Sequence, residues 1–503
     1  MKRFLSPAVS VFQVIFMLFL AFFALRLAIY HFDLLKYPYP CGLREGAMMT
    51  NTDALVKGLN PYDMALQPQY MNPYGIVYPL LVWPWAKLFG TTILVHRMVT
   101  AFFILASCAL MFFILRKMKV AVLLSVWAML MFYASLVYPE TSTPSIDPGA
   151  IGMFFMLLSI FIPWLQKYSY RSLVISVLFG LLAFYSKPYA ILGTMIIASY
   201  LFFFVSRFKS LIYMLILFAL TAASALAVNQ ILPAYFDNCF FTSLNMAPAW
   251  STMERLNLQI HLYTGLHLWI LILTGISVAV TIYTKKQFLG DEIKLVLWAG
   301  LWSSLVLYFS LGRHSGALLW YFFQLLSPFV LIAAAWLYNR HGFWSLWCVP
   351  LLILSLFTMT AKIDPGIFDK SKLGWPELTH AMSQYQHILN SPFIAPVLVE
   401  QNKEFYDNGQ TEYFASGGQR NGLLKYFSKD DDRVYLQMLL FFRNIRSRIE
   451  NREFDLIVLQ PSLLPLGVDE EIRKYYTFEG QLLLFAPQDL KTYAVTLWKP
   501  SGF

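Results

Sequence analysis

Charged side chains are scarce in this chain of 503 residues, where Asp, Glu, Lys and Arg together make up 13% of the sequence. Soluble domains carry about a quarter. Apolar residues supply 58% and aromatic residues 17%, which excludes an ordinary soluble protein and predicts an α-helical polytopic membrane protein. The net charge of +10 does not indicate nucleic acid, because the basic residues lie in small groups at the ends of apolar runs.

The sequence motifs of soluble enzymes are also missing. There is no GxSxG, no HExxH, no P-loop, and no GxGxxG that opens a helix after a strand. This disfavours nucleotide-sugar chemistry on a Rossmann-like domain and hydrolysis by a Ser-His-Asp triad. No repeat of domain length occurs either, which weakens a transporter interpretation because many transporters carry paired halves.

The four cysteines contain no CxxC pair, which argues against a zinc or redox motif. Cys108 and Cys348 lie inside apolar runs, where we expect them to be buried as small hydrophobic residues. Cys41 and Cys239 fall in two loops predicted on the same outer side. A disulfide between these two is one alternative, and two separate thiols is the other.

Eleven apolar runs predict about eleven transmembrane helices. The first, Ser10 to Tyr30, is interpreted as a retained signal anchor because Lys2 and Arg3 precede it. With Lys2 and Arg3 inside, the basic groups of the alternate loops all fall on the cytoplasmic side, as the positive-inside rule requires. The other ten runs are 93–115, 120–138, 148–166, 172–186, 189–206, 210–231, 266–284, 293–311, 317–337 and 343–360.

A further apolar segment, Tyr74 to Gly90, is predicted to be re-entrant or interfacial rather than spanning. Counting it as a span would place the basic cluster of residues 116–119 outside. Pro79 and Pro84 interrupt a helix in this segment, and its Tyr and Trp residues suit the headgroup level. Residues 31–92 are therefore expected to form a folded external loop on the membrane.

The composition changes after residue 360, which divides the chain into a membrane domain (1–360) and a polar C-terminal domain (361–503). With eleven spans the second domain lies outside. The apolar runs Ala395–Val399 and Asp455–Leu459 predict buried strands, and Leu436–Arg452 has helical spacing. We expect a small soluble α/β unit.

Several charged residues border apolar helices on the predicted outer side. A charge near lipid costs free energy, so each of these residues is expected to have a structural or functional role. Asp147 directly precedes Pro148, so it also fits an ordinary helix N-cap. Lys187 lies between two apolar runs, and its alternative role is a snorkelling lysine. Arg313 and His314 lie on a tight hairpin, and their alternative is a solvated turn.

The external loop carries its own acidic residues. Glu45 and Asp53 are eight residues apart, so on a helix they would share one face. The alternative for Glu45 is a surface ion pair with Arg44, which would contribute little. Asp53 has the alternative of a local structural role, and Tyr62 lies in an Asn-Pro-Tyr-Asp turn typical of a loop.

These motifs together resemble the GT-C superfamily of polytopic glycosyltransferases, particularly bacterial members similar to lipid A aminoarabinose transferases and protein mannosyltransferases. The resemblance covers most of residues 1–360. It is carried by Glu45-Gly46-Ala47, Gly58-Leu59-Asn60-Pro61-Tyr62, Tyr78-Pro79, Asp147, Lys187, and Gly312-Arg313-His314-Ser315-Gly316 followed by Trp320-Tyr321 and Pro328. It implies a polyprenyl-phosphate sugar donor, a lipid, glycan or protein acceptor, and a site on the outer, periplasmic face of a bacterial inner membrane.

The resemblance maps the presumed catalytic base to Glu45 and a second acidic residue to Asp147. Transfer of a sugar needs a base for the acceptor hydroxyl and positive charge for the departing phosphate. One displacement would invert the anomeric carbon. Asp147 would orient the acceptor or, with Glu45, hold a divalent metal if the donor carried a diphosphate. The predicted phosphate ligands are Lys187, Arg313, His314 and Arg97, and the predicted acceptor or loop supports are Asp53 and Tyr62.

Two other classes of function stay open at this point. A lipid flippase or small-molecule transporter would place charges along a path through the midplane to both sides of the membrane. A non-catalytic assembly subunit would tolerate loss of Glu45 and Asp147. The concentration of charge on one side favours the transferase over the transporter.

Overall fold

The computed structural model describes residues 5–42, 44–139, 145–241, 253–283, 291–313, 319–340, 348–364, 366–411, 432–460, 468–487 and 491–502. Most of them are helical. The helices are α1 (Leu5–Lys36), α2 (Glu45–Val56), α3 (Val77–Phe89), α4 (Ile93–Lys117), α5 (Val122–Leu136), α6 (Pro148–Leu165), α7 (Tyr170–Ser186), α8 (Leu192–Tyr200), α9 (Arg207–Ile231), α10 (Met253–Leu266), α11 (Leu268–Tyr283), α12 (Asp291–Phe309), α13 (Trp320–Leu325), α14 (Ser327–Arg340), α15 (Cys348–Thr360), α16 (Ile367–Lys370), α17 (Trp375–Ser383), α18 (Ala395–Glu400), α19 (Asp432–Glu450) and α20 (Val468–Tyr475).

Every predicted apolar run contains helix, but the spans differ in length. Among the described residues, six helices are long and apolar enough to cross a bilayer, and seven if the bent pair of α10 and α11, which meet at 73°, counts as one span. Shorter apolar helices, α5, α7 and α15, accompany them. The chain is therefore an integral membrane protein, and the count of eleven spans stays a prediction.

Large apolar side chains on the outside of the helix bundle agree with a lipid environment. On α9 the only buried residues are Ser210 and Tyr213, while Phe218 is 76% exposed. Leu25 on α1 is 62% exposed and Phe102 on α4 is 64% exposed. Large exposed apolar patches are unfavourable in water and mark surfaces that contact protein or membrane.

Helix α3 forms the core of the segment predicted to be re-entrant or interfacial. Its 13 residues rise about 20 Å, too short for a hydrocarbon core of about 30 Å. The segment begins against the end of α7, where the Gly75 N–H donates to the Ser186 carbonyl at 3.2 Å. A Cβ on Gly75 would lie 1.6 Å from the Tyr185 carbonyl oxygen, so only glycine fits this approach.

The C-terminal region contains a four-stranded sheet of order β1, β2, β4, β3. The strands are β1 (Ile388–Asn390), β2 (Leu456–Leu459), β3 (Tyr476–Ala486) and β4 (Lys491–Pro500). β1 and β2 are parallel, whereas β4 is antiparallel to both β2 and β3.

Two of the three predicted elements of the C-terminal region are confirmed. β2 is the strand predicted over residues 455–459, and α19 contains most of the predicted helix. The strand predicted at Ala395–Val399 is wrong, because these residues form α18. A short apolar run does not distinguish a buried strand from a buried helix, and Pro396 in the first turn favours the helix.

The C-terminal region packs directly on the external loop. Tyr39 stacks on Trp375, with ring centroids 5.1 Å apart and planes 8° apart. The Asn408 amide donates to the Thr50 hydroxyl at 3.2 Å and to the Met71 carbonyl at 2.8 Å. The loop and α2 are thus enclosed between the membrane helices and the C-terminal region. The division into domains at residue 360 stays a prediction.

Candidate active site

The acidic residue at the start of α2 forms a fully buried ion pair with α4. Glu45 is 1% exposed and Arg97 is 0% exposed, and the Arg97 NH2 lies 3.1 Å from Glu45 Oε2. Arg97 Nε also donates to Oε1 at 3.3 Å, and the Cys41 N–H donates to Oε2 at 2.8 Å. Glu45 therefore pairs with Arg97 in the interior rather than with Arg44 at the surface.

The Arg97 guanidinium also forms hydrogen bonds with backbone carbonyls at the end of α1. It donates to the carbonyls of Leu34 at 3.0 Å, Tyr37 at 2.5 Å and Tyr39 at 2.7 Å. Leu34 lies in the last turn of α1, and Tyr37 and Tyr39 follow it, at the helix end where backbone acceptors lack helical partners. The prediction that Arg97 binds the donor phosphate does not agree with this geometry, because all its nitrogens are engaged and none reaches solvent.

Neither loop cysteine takes part in a disulfide. The Cys41 sulfur accepts from Arg97 NH2 at 3.1 Å, and the Cys239 thiol donates to the Tyr74 carbonyl at 3.0 Å. The first alternative from the sequence, a Cys41–Cys239 disulfide, is therefore wrong. Cys108 and Cys348 are buried, as expected.

A second buried ion pair joins the N-terminus of α6 to the C-terminus of α7. Lys187 Nζ lies 3.1 Å from Asp147 Oδ1, and the two residues are 5% and 4% exposed. The same Oδ1 accepts the Gly149 N–H at 2.9 Å, so Asp147 is both the N-cap of α6 and the partner of a buried cation. The Gln324 amide donates to Oδ2 at 3.0 Å.

Aromatic rings surround the Lys187 ammonium on several sides. Its Nζ lies 5.4 to 6.0 Å from the ring centroids of Tyr74, Tyr189, Trp320 and Tyr321. These distances lie within the range of cation–π attraction. The Tyr189 hydroxyl donates to Gln324 Oε1, which links the rings to the Asp147 carboxylate. Lys187 is thus a desolvated cation in a rigid polar and aromatic pocket, and not a snorkelling side chain.

Arg44 adds a second positive charge to this pocket. Its guanidinium carbon lies 4.3 Å from the centroid of Trp320, the ring that Lys187 also faces. The indole Nε1 of Trp320 is buried and has no hydrogen-bond partner. The sequence analysis assigned Arg44 only to a surface ion pair. Its place directly before Glu45, on the loop that returns to the membrane, was the signal for a role in the site.

The two ion pairs belong to one region of the molecule. Tyr78 on α3 donates to the His96 carbonyl at 3.1 Å, one residue before Arg97. Burial raises the pKa of the Tyr78 hydroxyl, and the negative charges of Glu45 and Asp147 raise it further. Both carboxylates therefore act on the same phenol.

The buried charges concentrate at one end of the helix bundle. In the part of the chain that the structure describes, the buried Asp, Glu, Lys and Arg residues all belong to the predicted outer side: Glu45, Asp53, Arg97, Asp147 and Lys187. A path of charges through the midplane, which a transporter would need, does not occur among these residues.

The remaining predicted residues have contacts elsewhere. Asp53 pairs with Lys57 at 2.7 Å on α2, and the Tyr62 hydroxyl donates to the Tyr74 carbonyl at 2.8 Å, so both support the loop. The Arg313 guanidinium lies 5.1 Å from the centroid of the Tyr308 ring. His314 lies outside the described residues. No group of three His, Cys, Asp or Glu side chains that would hold a metal occurs within the described ranges.

Two solved structures of the ArnT from Cupriavidus metallidurans have the same fold as this chain. The apo structure is 10% identical with a TM-score of 0.58, and the structure bound to undecaprenyl phosphate is 11% identical with a TM-score of 0.59. Each match covers 97% of this chain and 98% of the other. No protein-family model and no curated protein matches the sequence. The chain therefore has the same fold as these ArnT structures, in agreement with the fold that the sequence resemblance predicted.

Proposed function

We propose that this protein is a membrane glycosyltransferase that transfers a sugar from a polyprenyl-phosphate donor to a lipid, glycan or protein acceptor on the periplasmic face of a bacterial inner membrane. The observation that carries the proposal is the Lys187–Asp147 pair, buried among aromatic rings with Arg44 beside it. The ArnT fold supports it, since one of the two ArnT structures holds undecaprenyl phosphate.

Lys187 and Arg44 are the proposed ligands of the donor phosphate. The leaving group is a phosphate anion, and fixed cations in a dehydrated pocket stabilise the charge that develops on it in the transition state. The unpartnered Trp320 Nε1 adds a neutral donor at the same place. When the phosphate pairs with Lys187, the Asp147 carboxylate loses its cation and keeps only the Gly149 N–H and the Gln324 amide as donors, so it becomes available to the acceptor.

Two carboxylates compete for the role of general base. Glu45 is the residue that the family resemblance assigns, but it serves as base only if Arg97 and the Cys41 N–H release one of its oxygens. Asp147 can serve as base once Lys187 pairs with the donor phosphate instead of with its carboxylate. In either case the acceptor hydroxyl gives its proton to a carboxylate, attacks the anomeric carbon and displaces the phosphate, so the configuration inverts.

The test is transfer by the purified protein in lipid nanodiscs with a panel of labelled polyprenyl-phosphate sugars, with and without EDTA. Product from at least one donor, with inverted configuration, is expected. Absence of transfer with every donor and with lipid, glycan and peptide acceptors would overturn the proposal.

The same assay separates the two candidates for the base. A Glu45→Gln protein that keeps the wild-type melting temperature yet lacks transfer assigns the base to Glu45. A Glu45→Gln protein that still transfers sugar, beside an inactive Asp147→Asn protein, assigns it to Asp147. Full activity in both variants would remove the two carboxylates from the mechanism.

A further inference from the structure

A crevice lies in the C-terminal region at the carboxyl ends of the two parallel strands. Ser391 directly follows β1, and Gln460 directly follows β2. The enclosed cavity between them is about 30 Å³, and the space that includes the open mouth of the crevice is about 470 Å³. In open α/β sheets, ligands bind in the crevice outside the carboxyl ends of parallel strands. The crevice is separate from the site around Lys187, since its described lining residues all belong to the C-terminal region.

Three buried polar groups along this crevice have no hydrogen-bond partner. They are the Ser391 hydroxyl, the Thr411 hydroxyl and Gln460 Oε1, on residues that are 3%, 1% and 3% exposed. A buried polar group without a partner destabilises the folded protein, so three such groups at one place need an explanation. A ligand that both donates and accepts hydrogen bonds would satisfy all three.

The residues around these groups are held firmly. The Asn390 amide donates to the Asp407 carbonyl at 2.7 Å, and Asn390 Oδ1 accepts the Tyr406 N–H at 2.7 Å. The end of β1 is thereby fixed to the segment that carries Tyr406 and Thr411. Tyr406, Phe441 and Phe442 supply the apolar part of the lining. The polar groups are therefore presented by a pre-formed wall.

The charged side chains that line the crevice restrict the chemical class of ligand that it could bind. Among its described lining residues there is no Lys, Arg or His, and the single charged residue is Asp407. A phosphate or carboxylate would meet no cation among these described lining residues, and Asp407 would repel it. Hydroxyl and amide groups beside aromatic rings suit a neutral ligand that carries many hydroxyls on an apolar ring face.

We propose that this crevice binds a neutral sugar residue, with hydrogen bonds from the sugar hydroxyls to Ser391, Thr411 and Gln460. It is a second carbohydrate site, distinct from the place where the sugar is transferred. A sugar unit held here would tether a glycan chain to the same face of the protein as the external loop, because the C-terminal region packs on that loop.

The test measures binding of methyl glycosides of neutral hexoses and of N-acetylglucosamine to the full-length protein in nanodiscs, by ligand-observed NMR. We expect at least one glycoside to bind, and the Ser391→Ala/Thr411→Val double variant to weaken it about tenfold or more, from two lost hydrogen bonds. The double variant should melt at or above the wild-type temperature, because the apolar side chains remove two buried hydroxyls that have no partner. Ser383→Ala, at an exposed serine of α17, is the matched control and should bind normally.

Three outcomes would overturn the proposal. Failure of every glycoside to bind the wild-type protein would leave ordered water as the occupant of the crevice. Unchanged affinity in a well-folded double variant would place the binding elsewhere, and competition by inorganic phosphate would contradict a neutral ligand. Lys187→Met separates this inference from the proposed function: it should lose transfer and keep glycoside binding, whereas loss of both would assign the glycoside to the transfer site.

Discussion

Arg97 and Glu45 form a buried ion pair that fastens the external loop to α4, with Arg97 NH2 at 3.1 Å from Glu45 Oε2. The same guanidinium donates to three carbonyls at the end of α1, one in its last turn and two just beyond it. Such an arrangement fixes three parts of the chain at one point. Arginine suits this position because its planar guanidinium group presents five N–H donors in fixed directions.

Replacing Arg97 by Met should lower the free energy of unfolding by about 3 to 5 kcal/mol, since it leaves Glu45 buried without a cation. Arg97→Lys should recover little, because one ammonium does not reach the carboxylate and the three carbonyls together. Thermal unfolding in detergent, followed by tryptophan fluorescence, measures both changes.

The double variant Glu45→Gln/Arg97→Met controls this interpretation. If the two residues act as a pair, the double variant should be more stable than the sum of the single losses implies, by about 1 kcal/mol or more. Strictly additive losses would mean that Arg97 stabilises the protein through the carbonyls alone.

Lys187→Met should lower transfer by about a hundredfold or more, because it removes the proposed charge opposite the departing phosphate. The change should appear in kcat and in use of the donor rather than of the acceptor. Lys209→Met is the matched control: this lysine donates to the Tyr168 carbonyl at 2.9 Å on the predicted cytoplasmic side. Equal activity in the two variants would exclude Lys187 from the phosphate site.

Gly149→Ala should damage the site while leaving the fold intact. A Cβ there would lie 2.8 Å from Asp147 Oδ2 and 2.7 Å from Gln324 Oε1, so both side chains must turn away from each other. We expect a loss of transfer of about tenfold with little change in melting temperature. Gly265→Ala is the control, because a Cβ at this exposed helical position meets nothing within 4 Å. A wild-type rate in Gly149→Ala would show that the Asp147–Gln324 bond is unnecessary.

The sequence was sufficient to predict a membrane protein and its helical runs. It also singled out Glu45, Asp147 and Lys187 as candidate site residues. Apolar length and the positions of basic residues are local properties, and a charge beside an apolar run stands out without any structure. Asp147 and Lys187 were singled out in this way, but their contact with each other was not predicted, because it joins residues 40 positions apart.

The partners of these residues could not be predicted, because they depend on packing between distant segments. Arg97 was assigned to the phosphate, yet the fold turns it inward to Glu45, 52 positions away along the chain. Gln324 carries no charge, so nothing in the sequence distinguished it from an ordinary core residue. Trp320 belonged to the family resemblance, but no role in the phosphate site was predicted for it. The short run at Ala395–Val399 failed for a different reason: its length suits strand and helix alike.

The pH dependence of stability should carry a contribution from Glu400, whose Oε1 accepts the Ile93 N–H at 2.7 Å at the start of α4. Burial raises the pKa of Glu400 above its usual 4.5 and outweighs the hydrogen bond and Arg97, which lower it. The folded protein therefore binds this proton more tightly than the unfolded chain does. The stabilisation that protonated Glu400 gives the folded protein is complete below pH 4.5 and is lost as the pH rises through the raised pKa. Glu400→Gln keeps the acceptor and cannot titrate. The melting temperature of the wild type, relative to this variant, should thus fall between pH 4 and pH 8, and a rise would show that the N–H bond and Arg97 dominate.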